Sequence, residues 1–181
     1  MELCKRRSPG ARDLLMRIYP LLHQSKCAPA GSVGGGPMKV SDILEFKGPS
    51  VKTIKPTETV GRLARQLQQN RIGAMVVSSD GHTVEGIISE RDIAYSLADR
   101  RGELHLLPVS SLMTRHVITC SPDDGLSEVM GQMMMHRIRH LPVKRDYQLI
   151  GIISIRDVLA FRLDEVERKS NLLMNWLSDS E

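Results

Sequence analysis

At 181 residues, 41% hydrophobic and 25% charged, the chain has the make-up of a globular protein with one good core or two small ones. Aromatics are only 3%, so the core must be aliphatic and Met-rich, and no apolar run approaches the ~18 residues that would span a membrane. The net charge of +4 belongs wholly to residues 1–37, where Lys5, Arg6, Arg7, Arg12, Arg17 and Lys26 outnumber Glu2 and Asp13, while residues 38–181 carry nineteen charges of each sign. A pI near 9.1 is therefore no sign of a basic, nucleic-acid-binding domain.

Residues 1–37 end in Ala28-Pro29-Ala30-Gly31-Ser32-Val33-Gly34-Gly35-Gly36-Pro37, the composition of a linker. Met38 follows directly, where the regular pattern begins. Three readings of this stretch stand: an extension upstream of a natural start at Met38, a disordered basic tail, or an organelle (mitochondrial) transit peptide. Cys4, Cys27 and Cys120 are far apart and odd in number, with neither a disulfide framework nor a zinc spacing. That suits a reducing compartment, and the expected location is cytoplasmic.

From Met38 the chain reads as one unit copied. Val40–Leu44 matches Val109–Met113, and a short strand follows at Val51–Ile54 or Val117–Cys120. A proline, Pro56 or Pro122, then opens a helix that Thr57 or Asp123 is placed to cap. Val60, Leu63, Ala64 and Leu67 in one helix, and Leu126, Val129, Met130 and Met133 in the other, fall at i, i+3, i+4, i+7 and give one apolar face each. The run Met133-Met134-Met135 reads as flexible core filler. Apolar strands follow at Arg71–Val77 and Arg137–Val143. Each turns back, through the Asp80-Gly81 signal or through Lys144–Gln148, into Gly86-Ile87-Ile88-Ser89-Glu90-Arg91-Asp92 or Gly151-Ile152-Ile153-Ser154-Ile155-Arg156-Asp157. These two motifs share Gly-Ile-Ile-Ser-x-Arg-Asp, and each predicts a buried strand running straight into a helix N-terminus. The fold class is α/β (α+β), two β-α-β-β-α repeats. The expected division is 1–37 as basic extension, 38–103 and 104–165 as the repeats, and 166–181 as an extension of the last helix. That helix is expected over about Asp157–Leu177. Its stripe Leu159, Leu163, Val166, Leu173, Leu177, widened by Leu172 and Trp176, has more apolar surface than its first-copy equivalent, which stops near Arg100. The surplus can cover a neighbouring element or a second subunit.

Ser89-x-x-Asp92 and Ser154-x-x-Asp157 have a plain reading as capping boxes, Ser at the N-cap and an acid three residues on. A helix N-terminus also offers free N–H groups and a positive dipole end to an anion. Arg91 and Arg156 in the first turn oppose that dipole; beside a phosphate they make sense, because a guanidinium grips it through two donors. The carboxylate, in turn, can accept both hydroxyls of a ribose diol. Cys120, at a strand end, reads as a small core residue.

The pattern Thr-x-x-Pro, helix, Ile-x-x-Leu-Pro-Val, hairpin, Gly-Ile-Ile-Ser-x-x-Asp resembles the signature of tandem CBS-domain proteins of the stand-alone bacterial type, over about residues 38–165. The second copy fits closely through His140-Leu141-Pro142-Val143; the first departs at Ala74-Met75-Val76-Val77, which lacks the proline. The resemblance implies two repeats packed sheet to sheet as a pseudo-twofold disc. It also implies two clefts between them that take AMP, ADP or ATP, with S-adenosylmethionine or NAD as further candidates. In one cleft it assigns the ribose and its phosphate to Ser89 and Asp92, with Val117, Ile118 and Ile138 as adenine walls. In the other it assigns them to Ser154 and Asp157, with Lys52, Ile72, Gly73 and Ala74 as walls. Arg139 and His140, where the first copy has Gly73 and Ala74, are either a pocket wall or phosphate ligands.

The resulting expectation is a regulatory module, a homodimer, that senses an adenosine-containing ligand and signals to a protein not encoded here. A ligand-free dimerisation module is the alternative. An enzyme is disfavoured, since no nucleophile–base set, P-loop or metal cluster is present in the pattern. Nucleic-acid binding lacks a basic face and stacking aromatics.

Overall fold

The computed structural model describes residues 37–48, 51–99 and 102–178, without the side chains of 99, 168, 169 and 171–178. The readings of residues 1–36, and of Leu172, Leu173, Trp176 and Leu177 as part of an apolar stripe, lie outside what is described. Two short apolar sheets follow from the two hairpins. In the first, β1 (Thr53–Ile54) runs parallel to β2 (Ala74–Val77), which pairs antiparallel with β3 (Gly86–Ser89). In the second, β4 (His140–Arg145) pairs antiparallel with β5 (Gln148–Ser154). The expected strand at Val117–Cys120 is reduced to a single parallel bridge from Cys120 to Val143. The helices are α1 (Val40–Lys47), α2 (Val60–Asn70), α3 (Glu90–Asp99), α4 (Leu126–Met135) and α5 (Ile155–Ser178). The order β-α-β-β-α is thus complete in the first copy and nearly so in the second.

Helices α2 and α4 start later than the prolines suggest. Thr59, not Thr57, caps α2 by accepting the Arg62 N–H at 3.2 Å. Gly125, not Asp123, is the N-cap of α4 and supplies no side-chain bond. The cause is shared: Thr59 bridges Pro108, and Gly125 bridges Lys39, so the chain stays extended up to those residues. Val60, Leu63 and Leu67 are buried as expected, whereas Ala64 is exposed. Of the three methionines only Met133 fills the core; Met134 and Met135 are 70% and 80% exposed. Arg71 and Arg137, read as strand residues, instead end α2 and follow α4 in the left-handed conformation, φ 53° and 54°. Cys120 is a buried core residue, and burial pushes its thiol up to about 12.

The leading segment of each copy packs into the core of the other. Val40 and Ile43 of α1 lie in a cluster with Leu126, Val129, Met133, Leu141, Ile153, Val158 and Phe161. Val109 and Met113 lie with Ile54, Leu63, Leu67, Met75 and Ile88. Backbone bonds tie both crossings: Val40 N–H to Asp124 O (3.0 Å) and Ser41 N–H to Pro122 O (2.8 Å), against Val109 N–H to Glu58 O (2.8 Å) and Ser110 N–H to Pro56 O (3.0 Å). Phe46 of α1 meets Phe161 of α5 edge to face, centroids 5.7 Å apart. The crossings also explain the glycine that opens each repeated motif. A Cβ on Gly86 would stand 2.7 Å from Met113 Sδ and 3.0 Å from Thr114 O, and one on Gly151 would collide with the Leu44 side chain.

Helix α5 is apolar on two sides. Val158, Ala160 and Phe161 are buried within the chain, while Leu159, Leu163 and Val166 are 47%, 48% and 59% exposed. Because α1 completes a core more than eighty residues away in sequence, Ile43→Ala should destabilise the whole chain by about 2–5 kcal/mol, the usual cost of such a cavity. Denaturant unfolding followed by circular dichroism should show one earlier transition; an unchanged midpoint would place α1 outside the second core.

Candidate functional site

Both repeated motifs end their strand at the serine and begin their helix at the next residue. The geometry is nearly the same in each. Ser89 N–H and Ser89 Oγ donate to Asp92 Oδ2 at 2.7 and 2.6 Å. Ser154 N–H donates to Asp157 Oδ2 at 2.7 Å, and the Asp157 N–H returns a 3.3 Å bond to Ser154 Oγ. Each helix's first N–H is taken by the neighbouring strand's entry, Glu90 N–H to Gly73 O (3.0 Å) and Ile155 N–H to Arg139 O (2.9 Å). The reciprocal capping box is therefore complete in the second copy, whereas in the first the Ser89 hydroxyl donates to the Asp92 carboxylate instead of accepting the Asp92 N–H.

The two helix N-termini open into one cavity of about 530 Å³. Its walls include Lys52, Ile72, Gly73, Ala74, Ser89, Arg91, Asp92, Val117, Ile118, Ile138, Arg139, His140, Ser154, Arg156 and Asp157, so the structure brings every residue singled out from the sequence to one continuous space. Both expected clefts open into this space. Lys47, Arg71, His116 and Arg137 also line it and were not singled out. For the two arginines a signal existed, since each precedes an isoleucine at the same place in its copy. Lys47 had none, because it enters from the crossing helix.

Charge is uneven in this space. Lys47, Lys52, Arg71, Arg91, Arg137, Arg139 and Arg156 stand against Glu90, Asp92 and Asp157. Burial, and then the positive charges of Arg139, Lys47 and Arg156, hold His140 down to about 4, so it is neutral at pH 7. The two aspartates differ. Asp157 is 1% exposed, and Lys47 Nζ donates to its Oδ2 and to Ile152 O, both at 2.9 Å. Attraction within this pair favours both charged forms, yet burial dominates: it raises Asp157 to about 6 and lowers Lys47 to about 8. Asp92 is partly exposed, and its carboxylate accepts from Ser89. The 69-residue offset that aligns Val40 with Val109 puts His116 where the second half-site has Lys47. This space can seat a flat apolar group between Ile72, Val117, Ile118 and Ile138 and present hydroxyl acceptors and cations beside it.

The CBS domain profile matches residues 40–99 and 109–164. An uncharacterized 17.7 kDa protein of Acidianus ambivalens is 34% identical over 127 residues, 70% of this chain and 74% of its own length. Among solved structures, a CBS-domain-containing protein of Agrobacterium tumefaciens superposes with a TM-score of 0.68 at 36% identity, over 73% of this chain and 98% of that one. The CBS domain pair of protein MJ0100, solved in complex with 5-methylthioadenosine and S-adenosyl-L-methionine, superposes with a TM-score of 0.61 at 26% identity, over 70% of this chain and 96% of that one. With two matched segments, a duplicated β-α-β-β-α order and these relatives, the chain belongs to the CBS-domain family and carries a pair of CBS repeats.

Proposed function

We propose that this CBS pair is a regulatory module that binds adenine nucleotides in the cavity between its repeats. The observation that carries the reading is the pair of Ser-x-x-Asp helix N-termini opening into one space with seven lysines and arginines against three acids. A carboxylate at each N-terminus can accept a ribose diol, and the cation excess suits phosphates. That excess favours AMP, ADP or ATP over S-adenosylmethionine, whose sulfonium is itself positive. The adenosyl compounds in the MJ0100 pair support a nucleoside-sized occupant on this scaffold. Ligand state would reach a partner through the helices, whose exposed Tyr95, Leu97, Leu159, Leu163 and Val166 form apolar faces suited to a second copy of the chain.

The two aspartates should answer differently to replacement. In Asp92→Ala, calorimetry with AMP should show at least a tenfold loss in the half-site it serves, since charge-assisted bonds are worth about 1.5–3 kcal/mol each. Stability should fall by only about 1 kcal/mol, the scale of a lost cap. Asp157→Ala also removes the ion partner of the part-buried Lys47 ammonium, so its thermal midpoint should drop further than that of Asp92→Ala. Unchanged AMP affinity in Asp92→Ala with lowered stability would leave capping as the whole role of that residue.

Arg156→Ala should weaken ATP and AMP more than adenosine, and the difference should shrink at high salt. Equal losses for all three ligands would remove the phosphate role.

Light scattering at micromolar concentration should report a dimer. Leu163→Asp or truncation after Phe161 should shift it towards monomer; a wild-type monomer would refute the helix-face interface.

A further inference from the structure

The half-site around Asp157 is already occupied by a side chain of the protein itself. Lys47 reaches from the end of α1 into the cavity and spans Asp157 Oδ2 and the Ile152 carbonyl, with 2.9 Å to each. Its side chain is 24% exposed and that of Asp157 only 2%. The Asp157 oxygen that receives the ammonium is also the one that takes the Ser154 N–H, so a ribose hydroxyl that approaches this oxygen competes with a cation. At Asp92 the corresponding oxygen takes only the Ser89 N–H and hydroxyl among the bonds of the described residues, and no described lysine or arginine lies in ion-pair range of it. Lys47 has a four-carbon stem and sits next to Gly48, where φ is 80°. Its ammonium is a compact charge that can be re-aimed by rotating that stem.

Leaving Asp157 bare would put a buried carboxylate beside a displaced cation with no new partner, which is costly. A ligand that brings its own anion removes that cost. Its phosphate takes over the ammonium while its ribose takes over the carboxylate. A neutral nucleoside offers only the second half of the exchange.

We propose that Lys47 makes the Asp157 half-site selective for phosphorylated adenosines, while the Asp92 half-site accepts adenosine with or without phosphate. The inference deepens the adenine-nucleotide reading and rests on it. It assigns to one lysine a specificity that the near-identical motifs do not show.

Calorimetry on the full chain with adenosine and AMP tests it. The wild type should take AMP at two sites per chain and adenosine at one. Asp92→Ala should keep one AMP site and bind adenosine at least tenfold more weakly than AMP. These two arms leave Lys47 untouched, so they stand even if a Lys47 variant folds poorly. Adding Lys47→Met to Asp92→Ala should lower the preference for AMP over adenosine at the remaining half-site at least tenfold. Adenosine filling both wild-type half-sites as tightly as AMP would overturn the proposal, as would an AMP preference unmoved by Lys47→Met. In either case nucleotide binding itself would survive. If neither compound binds the wild type, the nucleotide reading falls and this inference with it.

Discussion

The structure depends on an exchange of leading segments between the two repeats. Neither repeat owns all of its core: α1 closes the cluster around Leu141 and Ile153, and Val109–Met113 closes the cluster around Met75 and Ile88. Apolar burial is the main favourable term in folding, so each repeat is stable to the extent that the other holds its missing piece in place. The geometry is tight enough to dictate sequence. Leu44 and Met113 ride so close over Gly151 and Gly86 that a side chain at either motif's first position would force its neighbour to shift. The edge of β3 is covered in the same way, by the paired bonds between Ile87 and Thr114 at 3.0 and 2.9 Å.

The cavity follows from that exchange. Once each leading segment has crossed, the chain must return to its own repeat, and the returning residues (Val51, Lys52, Val117, Ile118) form part of its walls. The helix N-termini of α3 and α5 face this space with their capping carboxylates, and those carboxylates then have two physical duties. They accept the N–H groups of Ser89 and Ser154 at the strand–helix junctions, and they remain acceptors in a space whose other charges are mostly positive. At Asp157 a third demand is added by Lys47. One carboxylate serving as cap and ion pair couples the start of α5 to the end of α1, a link that Asp92 does not make among the described residues.

Much of this was legible in the sequence because it is periodic or punctuated. The helical faces of Val60/Leu63/Leu67 and Leu126/Val129/Met133, the Asp80-Gly81 turn and the strand-to-helix motifs depend on neighbours within a few residues. The fifteen residues named from motif and resemblance all reach the cavity for the same reason, since each copy repeats one local geometry. What escaped is what distance in the chain controls. The late starts of α2 and α4 are set by bridges to Pro108 and Lys39. The burial of Ala64 and Met134 was misjudged because the width of an apolar face is fixed by the packing partner, not by period alone. Lys47 is one charge at a helix end until α1 is seen to lie against β5 and α5, 105 and 110 residues further on.

The exchange also has a consequence in time. As the chain leaves the ribosome, α1 emerges with Val40, Ile43, Leu44 and Phe46 but finds no surface to cover until β5 and the start of α5 have been made, with Phe161 the last of its partners. The first repeat closes earlier, once Met113 is out. For the whole interval between, an apolar helix waits without its partner, tethered to a folded neighbour, and the long loop it must close slows its docking. A nascent chain in that state is open to capture by the same segment of another chain, so the arrangement that locks the finished pair together is also the one that exposes it to swapping while it is being built.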